Sequence, residues 1–157
     1  MSAGITKIPH RIVVGVDGSP SARAALRWAV RQAAFTGGTV DAVMAWQIPM
    51  MLRTYTWTPI YTEEARDFEQ DAKKTLEAVI RDEVGPADSQ RVTSRVVNGQ
   101  TAEVLLEASA NADLLVVGSR GHRVFAEALL GSVGQHCMHH ARCPVLVMPG
   151  EPDQPAA

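Results

Sequence analysis

A chain of 157 residues, 46% of them hydrophobic, has the material for one domain with a sizeable core and too little for two. Its net charge of -2 and pI near 6.2 supply no positive field to draw nucleic acid or an anionic membrane surface, although a small phosphate ligand held by backbone amides is compatible with that balance. Two cysteines, Cys137 and Cys143, are too few for a disulfide framework, and no apolar run is long enough to span a bilayer, so the expected setting is the reduced cytoplasm.

Residues 1–10 contain Lys7 and His10 without a long apolar run and are expected to be flexible. Arg11-Ile12-Val13-Val14-Gly15-Val16 is β-branched and nearly continuously apolar, the pattern of a strand buried on both faces, and it stops at Asp17. Gly18 turns the chain, Ser19 suits an N-cap and Pro20 a first helical position; Ala22, Ala25, Leu26, Ala29, Val30 and Ala33 then share one helical face until Gly37-Gly38. Thr39 to Trp46 reads as a second strand, followed by a loop from Pro49 to Pro59 rich in Met, Thr and aromatic residues. Ala65, Phe68, Ala72, Leu76, Val79 and Ile80 predict a long amphipathic helix from Glu63 to about Val84, with Thr62 as cap and Gly85-Pro86 as stop. Val92 to Val97 predicts a third strand, Asn98-Gly99 a turn, and Thr101 caps a helix carrying Ala102, Leu105, Leu106 and Ala110. Leu114 to Val117 is the fourth strand, Ser132 to about His140 a short helix, and Pro144 to Met148 the fifth strand, leaving a Pro- and Glu-containing tail from Pro149 to Ala157 that is expected to be disordered. The folded domain is thus expected over residues 11–148.

Alternating strands and helices imply an α/β fold: a five-stranded parallel open sheet with helices on both faces, because parallel neighbours need right-handed crossovers. Ligands of such sheets sit beyond the carboxyl ends of the strands, at the switch point of strand order. Asp17, Trp46 and the stretch Gly118-Ser119-Arg120-Gly121 each follow a strand and so point to one crevice. That stretch is followed, after nine residues, by Gly131-Ser132-Val133-Gly134. Glycines present unobstructed amides, and a helix starting near Ser132 adds free N–H groups and roughly half a unit of positive charge, so this is a place suited to phosphate. A P-loop is excluded because Lys7, Lys73 and Lys74 lie beside no glycine loop, and Gly15-Val16-Asp17-Gly18-Ser19-Pro20 lacks the dinucleotide spacing.

The opening Val14-Gly15-Val16-Asp17-Gly18-Ser19, the pattern Gly118-x2-Gly121-x9-Gly131-Ser132, the segment Asp113 to Gly121 and the ending Ala141-Arg142-Cys143-Pro144-Val145-Leu146-Val147 together resemble the universal stress protein family, from about Arg11 to Met148. The glycine pattern resembles that of the members that bind ATP. The resemblance implies an adenine nucleotide alpha hydrolase-like fold, with Gly118, Gly121, Gly131, Ser132 and Val133 around the triphosphate and Ser119 and Arg120 also among the nucleotide-binding residues. It further implies Asp17 beside the ribose or a magnesium ion on the phosphates, Gly15 and Val16 among the nucleotide-binding residues, and the backbone of Ala45 and Trp46 at the adenine. It also implies a homodimer through the last strand. On the residues alone Asp17 has two open readings, a ligand for hydroxyls or a divalent cation and a turn-forming Asp that caps Gly18 to Ser19.

The sequence departs from the family at Arg123-Val124, where glycines are usual, and at Glu127, which puts a negative charge near the phosphates; the loop is expected to be stiffer. Arg120 and Arg123 are either charged donors to phosphate or solvated loop charges. His136, His139 and His140 lie on adjacent helical turns, but a structural zinc needs four ligands; the expected arrangement is outward histidines with Cys137 and Met138 packed inward and Cys143 buried as an apolar residue. Trp46, Met50, Met51, Tyr55 and Trp57 form a lid, a dimer contact or loop side chains on the core. The expected function is an ATP-dependent regulatory module in stress, with an unidentified protein partner. Binding rather than turnover is expected because no general base beyond Asp17 is evident. A weak ATPase or phosphotransferase with magnesium on Asp17, and a binder of another adenine nucleotide such as cyclic AMP, are the alternatives.

Overall fold

The computed structural model describes residues 10–48, 63–119 and 131–150. Arg120, Gly121, Arg123, Val124 and Glu127, the side chains of Met50, Met51, Tyr55 and Trp57, the Thr62 cap, residues 1–9 and residues 151–157 lie outside them. The apolar runs become strands β1 (Arg11–Gly15), β2 (Thr39–Trp46), β3 (Val92–Asn98), β4 (Leu114–Gly118) and β5 (Val145–Met148). The periodic segments become helices α1 (Pro20–Thr36), α2 (Glu63–Glu83), α3 (Thr101–Ala108) and α4 (Ser132–His140), with a short 3-10 turn at Ser89–Arg91 before β3.

All neighbouring strands pair in parallel in the order β3-β2-β1-β4-β5, so β1 is central and β3 and β5 are the edges. The period of two along each strand divides the core. Ile12 and Val14 of β1, Val40 and Ala42 of β2 and Val116 of β4 pack with Leu26, Ala29 and Val30 of α1 and Leu76 and Val79 of α2. Val13, Val43, Leu115 and Val117 face the other way, onto Val104, Leu105 and Ala108 of α3 and Cys137 of α4. Both faces are covered, which is why β1 and β4 read as nearly continuous apolar runs.

Local chemistry sets the ends. Ser19 accepts from the Ala22 amide at the start of α1, Pro20 follows it, and the Gly37 amide donates to the Ala33 carbonyl at the far end. At α3 the residue expected as cap is displaced by one: Gln100 holds the N-cap position without a side-chain hydrogen bond, and Thr101 is already helical. The Asn98-Gly99 turn is tighter than a spaced loop, because the Gly99 amide is still bonded to the Trp46 carbonyl at 3.0 Å. Met138 is another correction, being 55% exposed rather than packed inward, while Cys137 is buried. Cys143 is half-buried rather than enclosed.

One charge lies inside the sheet. Asp41 of β2 is only 9% exposed. Its Oδ2 accepts from Nη2 and Nε of Arg95 at 3.0 and 3.2 Å and from Nη2 of Arg11 at 3.3 Å. Its Oδ1 accepts from the Thr93 hydroxyl at 3.4 Å. A buried carboxylate is tolerated only when charged donors surround it in this way. Asp113, just before β4, accepts from the backbone amides of His10 and Arg11, fixing the start of β1 against β4.

The far ends of β1 and β4 position the site. A Cβ on Gly118 would lie 2.8 Å from the Ala22 amide nitrogen and overlap Ser21, so only glycine lets β4 end directly on the first turn of α1. Gly118→Ala is expected to lower stability by about 1–3 kcal/mol through overpacking, read as a lower denaturant midpoint at constant slope. Gly15→Ala is the control. Its Cβ would meet the end of the Leu105 side chain, which can rotate aside, and the loss should be smaller.

Candidate functional site

β1 ends early. Gly18 has φ of +82°, which bends the chain out of the sheet, and the Ser19 amide donates to Oδ1 of Asp17 at 2.9 Å. The turn-forming reading of Asp17 is therefore realised, and it coexists with a place in the crevice, because Asp17 also lines a cavity of about 240 Å³ between the ends of β1 and β4. Gly15, Val16, Gly118, Gly131, Ser132 and Val133 line the same cavity. A second cavity of about 370 Å³ is lined by Ala45 and Trp46 and meets the first at Thr101, Ser132 and Val133. Nine of the twelve predicted site residues thus converge from four separate segments of the chain; Arg120 and Gly121 lie outside the described residues.

The twelfth, Ser119, is placed differently. Its amide donates to the Met148 carbonyl at 2.8 Å, its carbonyl accepts from the Gly131 amide at 2.7 Å, and its hydroxyl accepts from the Gly150 amide at 3.2 Å. It is 7% exposed and does not line either cavity. The Ser119 amide is thus engaged by β5.

The donors that do face the cavity come from α4. Gly131 occupies its N-cap and has no side chain to cap it, so the amides of Ser132, Val133 and Gly134 have no acceptor within the helix. They sit at the positive end of a nine-residue helix whose first turn lines both cavities. The second cavity gains its polar groups from sheet parity. The Val43 carbonyl accepts from the Val16 amide on the β1 side, whereas the Trp46 carbonyl accepts from the Gly99 amide on the β3 side. Alternate residues of a strand point their backbone groups the same way, so the N–H and C=O of Ala45 are directed toward β1, which has already turned away at Asp17. The backbone pair of Ala45 is thus turned toward the space that β1 has left, and that of Trp46 toward β3.

Residues not foreseen from the sequence also line the crevice: Gln47, Gly99, Gln100 and Thr101 beside Ala45, and Ser19 and Leu105 beside Asp17. The segment after β3 was detectable in principle, since every loop following a parallel strand opens on the same side of the sheet.

The chain matches the model of the Universal stress protein family over residues 9–149. It belongs to that family. A universal stress protein of Mycolicibacterium smegmatis is 32% identical over 154 residues, covering 94% of this chain and 50% of the relative. The chain spans about half the length of the curated relatives it matches. Among solved structures, the universal stress protein UspA from Lactobacillus plantarum superposes with a TM-score of 0.73 at 19% identity, covering 91% of this chain and 99% of that one. A universal stress protein in complex with cAMP superposes with a TM-score of 0.58 at 25% identity, covering 92% of this chain and 100% of that one. The five-stranded parallel sheet with flanking helices is the fold of this family. No helix among the described residues is long and apolar enough to cross a membrane.

Within this universal stress protein fold no group of three or more His, Cys, Asp or Glu side chains among the described residues is arranged to hold an ion. His136 and His140 instead contact one another, with ring centroids 4.5 Å apart. Burial pushes the Cys137 thiol above its ordinary value of 9.0, and the neighbouring Cys143 pushes it the same way. Burial also raises Cys143, outweighing hydrogen bonds that include one with Ser109. Neither is a thiolate nucleophile at neutral pH. Both thiols hold their protons more tightly folded than unfolded, so their contribution is intact below about 9 and is lost as pH rises through the folded values. Stability is expected to fall on the alkaline side of pH 9 in wild type and to fall less in Cys137→Ala, measured as denaturant midpoints across pH.

Proposed function

We propose that this chain is an ATP-binding universal stress protein domain, a regulatory module of the stress response whose output depends on nucleotide occupancy. The observation that carries the reading is the joining of two cavities at the uncapped first turn of α4. An adenine ring in the cavity beside Ala45 finds a backbone donor and acceptor in the complementary order for its N1 and exocyclic amino group. Phosphates in the cavity beside Gly118 find the amides of Ser132, Val133 and Gly134 and the helix dipole. Gly15 and Val16, which line the cavity beside Gly118, would meet the ribose. Arg120 and Gly121 belong to the same phosphate wrap by family resemblance.

The donor set suits magnesium only in company with phosphate. A single carboxylate, Asp17, lines the cavity, and magnesium is commonly held by one or two carboxylates together with substrate phosphates. Such an ion would neutralise phosphate charge; Asp17 would hold it while Oδ1 keeps the Ser19 amide in place. Turnover is the weaker reading, since among the described residues Asp17 is the one ionisable side chain lining either cavity, and a general base there would have to release its turn-forming bond. A different adenine nucleotide is the second reading, favoured by the relative solved with cAMP, because backbone amides count phosphates poorly. The reading includes a homodimer through the edge strand β5, a cytoplasmic location and a protein partner of unknown identity.

Titration calorimetry with ATP, ADP, AMP and cyclic AMP on the purified protein tests this. Ser132→Glu places a carboxylate at the first helical position of α4, where it favours the helix dipole but repels phosphate. ATP affinity should fall at least about tenfold with no loss of denaturant stability. Asp17→Asn should leave ATP affinity the same with and without magnesium. Failure of all four nucleotides to bind the wild type overturns the proposal.

A further inference from the structure

Ser119 carries more hydrogen bonds than its position in a glycine loop requires. It is buried, and each of its polar groups engages a different piece of backbone: the amide the last residue of β5, the hydroxyl Gly150 two residues beyond, and the carbonyl Gly131, the N-cap of α4. The amide bond to Met148 extends the β4–β5 ladder one residue past the Gly118↔Met148 pair. The carbonyl bond, at 2.7 Å, ties the end of β4 to the start of the helix whose amides face the cavity. Gly150 lines neither cavity, yet a single side chain separates it from the N-cap of α4.

We propose that Ser119 is a positioning residue: it clasps the start of α4 to the backbone at Met148 and Gly150, aiming the cradle amides and carrying nucleotide occupancy to the end of the edge strand. The proposal rests on the nucleotide reading of the crevice. Backbone donors bind an anion well only if they are already aimed, so a loosened N-cap weakens binding without removing a single ligand contact. The amide and carbonyl bonds of Ser119 survive any substitution; the hydroxyl bond to Gly150 is the part a side-chain change removes. That makes the coupling separable from the fold.

The test uses the full chain as wild type, Ser119→Ala and Ser119→Thr, with amide hydrogen exchange at Gly131 and Gly150 by NMR, with and without ATP, alongside calorimetry. In the wild type ATP should slow exchange at both amides. In Ser119→Ala the Gly150 amide should exchange about tenfold faster and lose its response to ATP, and ATP affinity should fall about fivefold, the scale of one hydrogen bond. Ser119→Thr keeps the hydroxyl and should restore both. A merely structural serine would shift stability without making Gly150 responsive to ATP. Wild-type exchange at Gly150 that ignores bound ATP, or Ser119→Ala that binds ATP as wild type does, overturns the clasp. If the wild type binds no nucleotide, the reading of the crevice fails and so does the transmitted signal. A faster Gly150 amide in Ser119→Ala would then still support the clasp itself, and an unchanged one would overturn it.

Discussion

The bend at Asp17 is the constraint on which the rest of the molecule turns. By leaving the sheet one residue after Val16, β1 withdraws the partner that Ala45 would have had, starts α1 close enough to β4 to demand glycine at position 118, and opens the space between two parallel strands. A short hydrogen bond from the Ser19 amide to the Asp17 carboxylate and a left-handed glycine hold that bend. The carboxylate shapes the crevice before it meets anything within it. Holding the turn and lining the cavity are therefore not alternatives at this residue, because the geometry that satisfies the first delivers the second.

The crevice also illustrates how a parallel sheet makes polar surface from apolar sequence. Ala45 and Val133 bring no polar side chain, yet strand parity and the start of α4 turn backbone donors and acceptors toward the crevice there. Recognition by backbone is tolerant of side-chain change.

Much of this architecture was legible in the sequence. β2 and α4 fall on their expected residues, and the Ser19-Pro20 start of α1 is as read, because strand periodicity and cap chemistry are local. What escaped was set by distant contacts. Thr101 has the side chain of a cap but follows a turn still bonded to β2, so Gln100 takes the cap position. Met138 has the composition of a core residue but projects from α4 on the side away from α3. Ser119 reads as part of a phosphate loop in any linear scan; only the proximity of Met148 and Gly150 reveals its other attachments. Trp46 and Ala45 are adjacent in sequence and opposite in hydrogen-bonding direction, a distinction that needs the register with both neighbours.

The two edges of the sheet differ in kind. Along β3 the outward positions Thr93, Ser94 and Arg95 are exposed and polar, with Arg95 anchored to Asp41, whereas β5 offers Val145, Leu146, Val147 and Met148, all partly accessible. A sheet with two equally receptive edges can add copies without limit, as fibrils do. Charge on an edge disfavours the addition of a further strand there, so of the two edges β5 is the more receptive. The guanidinium that quiets a buried carboxylate thus also sets a charge along one of the two open edges.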